Sequence, residues 1–240
     1  MTEDRSVLSR EARAPDEQLR YGGHADQVID VWHAKDYRPA VVFVHGGFWR
    51  PEYDRTHARP LGEALADEGW SVASLEYRRE PGQPDLTTSD VRAALDRLPS
   101  LMDLHAGFVL AGHSAGGQLA LWAAATLNPV GLRGVVALAP VADLLLADQL
   151  RLDDGAVQDF IGSGVRNDLD PVHLPAPIAP VSIVHGTNDQ RVPLAVSESY
   201  FTAHPTARLH RLNGVGHFEL IDPDAEAWHA VITALTRFTG

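Results

Sequence analysis

The chain contains no cysteine. Disulfides, thiolate metal centres and a cysteine nucleophile are therefore excluded. It has a single lysine, Lys35, and 32 acidic residues against 20 basic ones, for a formal net charge of -12. Phosphate binding needs clustered Lys and Arg, so this balance argues against nucleic acid as a partner and against an anionic membrane surface. No apolar run approaches a membrane span, and the first twenty residues carry no apolar stretch of signal-peptide length. A cytoplasmic location is expected. The twelve histidines show no His-Glu-x-x-His spacing, which disfavours a metal hydrolase. No cofactor is expected, and a homodimer is compatible with the sequence.

What remains is the composition of an ordinary globular chain, 45% hydrophobic and 22% charged. Its 240 residues suit one α/β domain with a sizeable core. The runs "AVVFVHGG" (Ala40–Gly47), "WSVASLEYR" (Trp70–Arg78), "GFVLAGH" (Gly107–His113), "GVVALAP" (Gly134–Pro140) and "VSIVHG" (Val181–Gly186) are continuously apolar, as buried parallel strands are. "QVIDVWH" (Gln27–His33) alternates like an edge or antiparallel strand, and "ARLHRLNG" (Ala207–Gly214) reads as a last strand. Helical patterns fall between them, over Thr56–Glu68, Ser89–Leu98, Ala115–Leu127, Leu194–Ala203 and Ala225–Phe238. The expected fold class is α/β, a mostly parallel central sheet with helices on both faces. Residues 1–26 are expected to form a peripheral segment and 27–240 the domain. Residues 141–180, long for a connection, are expected as a small cap or lid-like insertion.

Gly112-His113-Ser114-Ala115-Gly116 fits G-x-S-x-G between an expected strand and an expected helix. Such a turn lifts the Ser114 hydroxyl clear of the sheet and aims the N–H of Ala115, at a helix N-terminus, toward whatever the hydroxyl attacks. A tight turn with a helix-capping serine is the plainer alternative. A serine hydroxyl needs a base, and the base an orienter. Asp189 follows the strand "VSIVHG" and His217 follows "ARLHRLNG", so both fall on the same sheet edge as Ser114, in the order Ser, Asp, His. Taken singly, Asp189 reads equally as a turn or cap residue and His217 as a structural histidine.

Through "HGGFW" (His45–Trp49), "EYR" (Glu76–Arg78), "GHSAGG" (Gly112–Gly117), "HGTNDQRVP" (His185–Pro193) and "GVGHF" (Gly214–Phe218), the chain resembles the α/β-hydrolases. Within them it is most similar to the kynurenine formamidase (arylformamidase) branch. It is also similar to His-Gly-Gly-Gly esterases and to the catalytic domains of prolyl-oligopeptidase-like peptidases. The resemblance implies Ser114 as nucleophile, His217 as base and Asp189 as its orienter. It further implies an oxyanion hole from the N–H groups of Gly47, Phe48 and Ala115. His45 is expected to fix its loop by hydrogen bonds. Trp49 is expected either to wall the substrate pocket or to belong to the core, and Arg50 either to meet a substrate carboxylate or to make a surface contact. The implied activity is hydrolysis of a small ester or aryl formamide through an acyl-enzyme. A peptidase and a non-catalytic binding protein on the same fold stand as alternatives. Phe48 departs from the esterase pattern, where a third glycine would stand.

Overall fold

The computed structural model describes residues 3–35 and 38–240. Eight strands form one sheet: β1 (Glu17–Arg20), β2 (Val28–Trp32), β3 (Ala40–Val44), β4 (Val72–Leu75), β5 (Phe108–His113), β6 (Leu132–Leu138), β7 (Val181–Gly186) and β8 (Arg208–Leu212). Their spatial order is β1-β2-β4-β3-β5-β6-β7-β8. β2 runs antiparallel to both its neighbours, β1 and β4, and from β4 to β8 all pairs are parallel. The alternating pattern of β2 thus belongs to an antiparallel strand, but one that is buried along its whole length because β1 covers its outer edge.

The helices are α1 (Arg59–Asp67), α2 (Pro84–Leu101), α3 (Ala115–Thr126), α4 (Leu144–Gln149), α5 (Ala156–Ile161), α6 (Leu194–Ala203) and α7 (Trp228–Thr236). Strand side chains alternate between two cores, as the period of two requires. Val42, Val44, Leu110 and Ala137 face one core with α2, α3 and α6. Val41, Phe43, Val109 and Val136 face the other, with Leu61 and Leu65 of α1 and Val231 and Leu235 of α7. This is the α/β-hydrolase arrangement. α2 begins five residues before the expected Ser89, with Pro84 in its first turn, where the missing N–H costs nothing. α3 is buried all round from Ala115 to Ala124, so it shows no polar face to solvent.

Two segments outside the central strands and helices are anchored by specific contacts. The stretch 141–180 packs against α3: the Trp122 indole donates to the Asp168 carbonyl at 3.2 Å and the Gln118 amide to the Leu169 carbonyl at 2.7 Å. The N-terminal segment contributes β1 to the sheet and buries Val7 beside α1. The order reversal between β3 and β5 makes a crevice at their carboxyl ends, where ligands bind in sheets of this kind. Among the described residues no helix is long and apolar enough to cross a membrane.

Candidate active site

β5 ends in a turn that only glycine can flank. A Cβ on Gly112 would lie 2.2 Å from the Gly116 carbonyl oxygen, and one on Gly116 would lie 2.0 Å from that of Val44. Between them Ser114 is held at φ 57° and ψ -120°, a conformation that costs an L-residue about 1–3 kcal/mol. Two long-range bonds fix it there. Its N–H donates to the Leu138 carbonyl at 2.8 Å, and its own carbonyl accepts from Val141 at 3.2 Å.

Asp189 and His217 arrive on the loops after β7 and β8. Asp189 Oδ1 accepts from the N–H groups of Arg191 and Val192, each at 2.8 Å, and its Oδ2 accepts from His217 Nδ1 at 2.7 Å. His185 Nε2 stands 3.2 Å from the same Oδ2. Burial by itself would push the Asp189 carboxyl up, but His217 and the bond from His185 hold it well below the usual carboxylate range. An ionised carboxylate only accepts, so His217 carries its proton on Nδ1 and leaves Nε2 to accept. His113, next to Ser114, donates from Nε2 to the His217 carbonyl at 3.1 Å, and the two rings lie 4.4 Å apart. Burial, reinforced by His217, pushes the His113 imidazole well below its ordinary value and keeps it neutral.

Ser114 and His217 line one cavity of about 390 Å³, open solvent included. Gly47, Phe48, Tyr53, His57, His113, Arg191 and Phe218 share its wall, with Arg5 and Leu8 from the N-terminal segment. Among the described residues Ser114 and His217 are not directly hydrogen-bonded; bonds of this type commonly tighten only with substrate in place. The carboxylate–imidazole pair and the serine are thus brought to one cavity.

The "HGGFW" loop follows β3. His45 bonds Glu76 through Nε2 at 3.0 Å and the Gly46 carbonyl through Nδ1 at 2.8 Å, while Tyr77 donates to the His45 carbonyl at 2.8 Å. Gly47, Phe48 and Trp49 all take positive φ, at 111°, 49° and 56°. This curl sends Phe48 to the cavity and Trp49 away from it. Trp49 stacks on Phe160 of α5 at 4.4 Å and donates to Gln118, so its indole belongs to the core rather than to the wall around Ser114. Arg50 is paired with Asp153 at 2.8 Å and Asp159 at 2.9 Å. Among the described residues nothing from 141–180 lines this cavity. Ala115 opens α3, so its N–H has no intrahelical acceptor.

Tyr53, His57, Arg191 and the N-terminal residues Arg5 and Leu8 also reach this cavity, with no local motif to mark them. His57 has its Nδ1 buried without a hydrogen-bond partner among the described residues. Burial, helped by His45, pushes its imidazole down to about 3. The unfolded chain therefore takes up this proton first. The stability this group contributes is complete above about pH 6.5 and is lost as pH falls toward 3. His57→Gln is expected to flatten the pH dependence of unfolding free energy between pH 4 and 6.5 by up to about 1.4 kcal/mol per pH unit. Denaturant titrations at several pH values check this; an unchanged slope would exclude His57 as the source.

The BD-FAE family's sequence model matches residues 29–203, which include Ser114 and Asp189 and stop short of His217. "Probable carboxylic ester hydrolase LipM" of Mycobacterium tuberculosis is 28% identical over 221 residues, covering 78% of this chain and 51% of that protein. The chain thus spans about half the length of that relative. Kynurenine formamidase of Danio rerio is 21% identical, covering 92% of this chain and 80% of that enzyme. Among solved structures, esterase B from Lactobacillus rhamnosis superposes with a TM-score of 0.76 at 21% identity, over 97% of this chain and 89% of that one, a likeness of fold.

Proposed function

The chain belongs to the BD-FAE family, and on that footing we propose that it is a serine hydrolase cleaving small carboxylic esters through an acyl-enzyme. The observation that carries this reading is the buried His217–Asp189 bond of 2.7 Å, with the same imidazole and Ser114 on one cavity wall. His217 Nε2 takes the Ser114 proton as the hydroxyl attacks the carbonyl carbon. Asp189 holds the imidazole in that tautomer and stabilises the imidazolium. The N–H groups of Gly47, Phe48 and Ala115 receive the oxyanion, each donor worth about 3–4 kcal/mol in the transition state. His217 then protonates the leaving group, and water repeats the sequence to free Ser114.

The wall bears Phe48, Tyr53 and Phe218 around a cavity of modest volume. These rings favour a flat aromatic portion with a small acyl group, which supports a second reading as an aryl formamidase alongside the ester one. The likeness to the Danio rerio enzyme points the same way.

A fluorophosphonate probe followed by peptide mass mapping tests the proposal. The adduct is expected on the peptide that contains Ser114. Absence of labelling, or an adduct on another residue, would refute the assignment. Side-by-side kcat/KM on p-nitrophenyl acetate and N-formylkynurenine then ranks the two substrates.

A further inference from the structure

The protein carries a formal net charge of -12, yet among the described residues the cavity wall holds two guanidinium groups, Arg5 and Arg191, and no carboxylate. Arg191 is committed elsewhere: it pairs with Asp153 at 2.5 Å, and its guanidinium lies over the Phe48 ring. Arg5 is not. Among the described residues its one hydrogen bond is that of Nη2 to the Tyr53 hydroxyl, at 3.4 Å, and its guanidinium sits 5.4 Å from the centre of the Phe218 ring. The neighbouring Asp4 carboxylate is turned to the Ser6 N–H at 2.8 Å, and that of Glu3 to the N–H of His217. Among the described residues no acid lies within ion-pair distance of Arg5.

Arg5 is nevertheless held in place. On one side of it Glu3 is bonded to His217. On the other, Val7 is buried and Arg10 makes a two-pronged bond to Asp222, with Nη2 to Oδ2 at 2.9 Å. The N-terminal segment is thereby tied to the loop that carries His217, and Arg5 and Leu8 face inward. A guanidinium supported on an aromatic face, with no carboxylate on its fork among the described residues, is suited to a planar carboxylate, which it binds through two parallel hydrogen bonds.

We propose that Arg5 makes this site selective for esters or amides that bear a carboxylate beside the scissile carbonyl. The proposal rests on the reading of Ser114 as nucleophile. The anion can sit on the acyl portion or on the leaving group, and two substrate pairs separate these cases. p-Nitrophenyl hemiglutarate against its methyl ester tests the acyl side. 4-Acetoxybenzoate against methyl 4-acetoxybenzoate tests the leaving-group side.

In at least one pair the wild-type kcat/KM is expected to favour the anionic member about tenfold or more at low salt, the preference shrinking as ionic strength rises. Arg5→Gln is expected to bring that ratio near one, and Arg5→Lys, which keeps the charge and the strap, to retain part of it. Ratios at or below one in both pairs, or a preference that survives Arg5→Gln, overturn the proposal. Failure of the hydrolase reading looks different, since then no substrate is turned over and no fluorophosphonate adduct forms. Benzoate titration followed by NMR decides the role of Arg5 without turnover. Weaker binding to Arg5→Gln supports the proposal, and equal binding refutes it.

Discussion

Replacing Ser114 by glycine is expected to abolish turnover and to stabilise the fold at the same time. On the proposed mechanism the loss in kcat is about 10⁶-fold, as for removal of a serine nucleophile in general. The gain in stability has a separate origin. Ser114 sits at φ 57°, where a Cβ is strained by about 1–3 kcal/mol. Glycine relieves that strain at an entropic cost of about 0.4–1 kcal/mol in the unfolded chain. A net gain of about 1 kcal/mol should raise Tm by about 2–4 °C in a domain of this size. Ser114→Ala keeps the Cβ, so it should lose turnover equally without gaining stability. Calorimetry and p-nitrophenyl acetate kinetics on the two variants separate chemistry from strain. A glycine variant less stable than the alanine one would show that the backbone is not strained at this position.

Ser114 and Asp189 follow continuous apolar strands, and His217 follows the mixed, half-exposed β8; all three have glycine or turn residues a few positions away, so local chemistry makes them candidates. The central strands are equally plain, because β3 to β7, apart from Leu132 and Arg133 at the start of β6, are buried on both faces and read as largely apolar runs. β1 was hidden, since "EQLR" is largely exposed and owes its extended form to pairing with β2. The direction of Trp49 was hidden for another reason. No periodicity reaches a loop in which three successive residues take positive φ, and which ring faces the cavity is decided by that curl. The contacts of Glu3 with His217 and of Arg5 with Phe218 span more than two hundred residues. A polar stretch with one short apolar pair, Val7-Leu8, gave no local sign of them. Arg50 could not be assigned from sequence because its acids, Asp153 and Asp159, lie a hundred residues away.

Asp189→Asn is expected to lower kcat by about 10⁴-fold while the fold is kept. The hydrogen bonds around the carboxylate give the reason. Oδ1 accepts two backbone N–H groups, from Arg191 and Val192, at 2.8 Å each. An asparagine must keep its carbonyl oxygen there, because turning its NH₂ toward two donors would leave buried N–H groups unpaired at about 1–3 kcal/mol apiece. The NH₂ then faces His217 Nδ1, which stands 2.7 Å from Oδ2 in the native chain. Donor meets donor, so the imidazole moves its proton to Nε2, the nitrogen meant to receive the one from Ser114. The carboxylate charge that would stabilise the imidazolium is lost as well. The two loop-fixing bonds survive while the buried contact of Oδ2 with His185 Nε2, 3.2 Å in the native chain, is lost, so Tm should fall modestly, KM should change little and the main defect should fall on kcat. Steady-state kinetics beside a thermal melt provide the check. A kcat within tenfold of wild type would remove Asp189 from the mechanism, whereas a collapsed Tm would mean that the carboxylate chiefly holds the loop between β7 and α6.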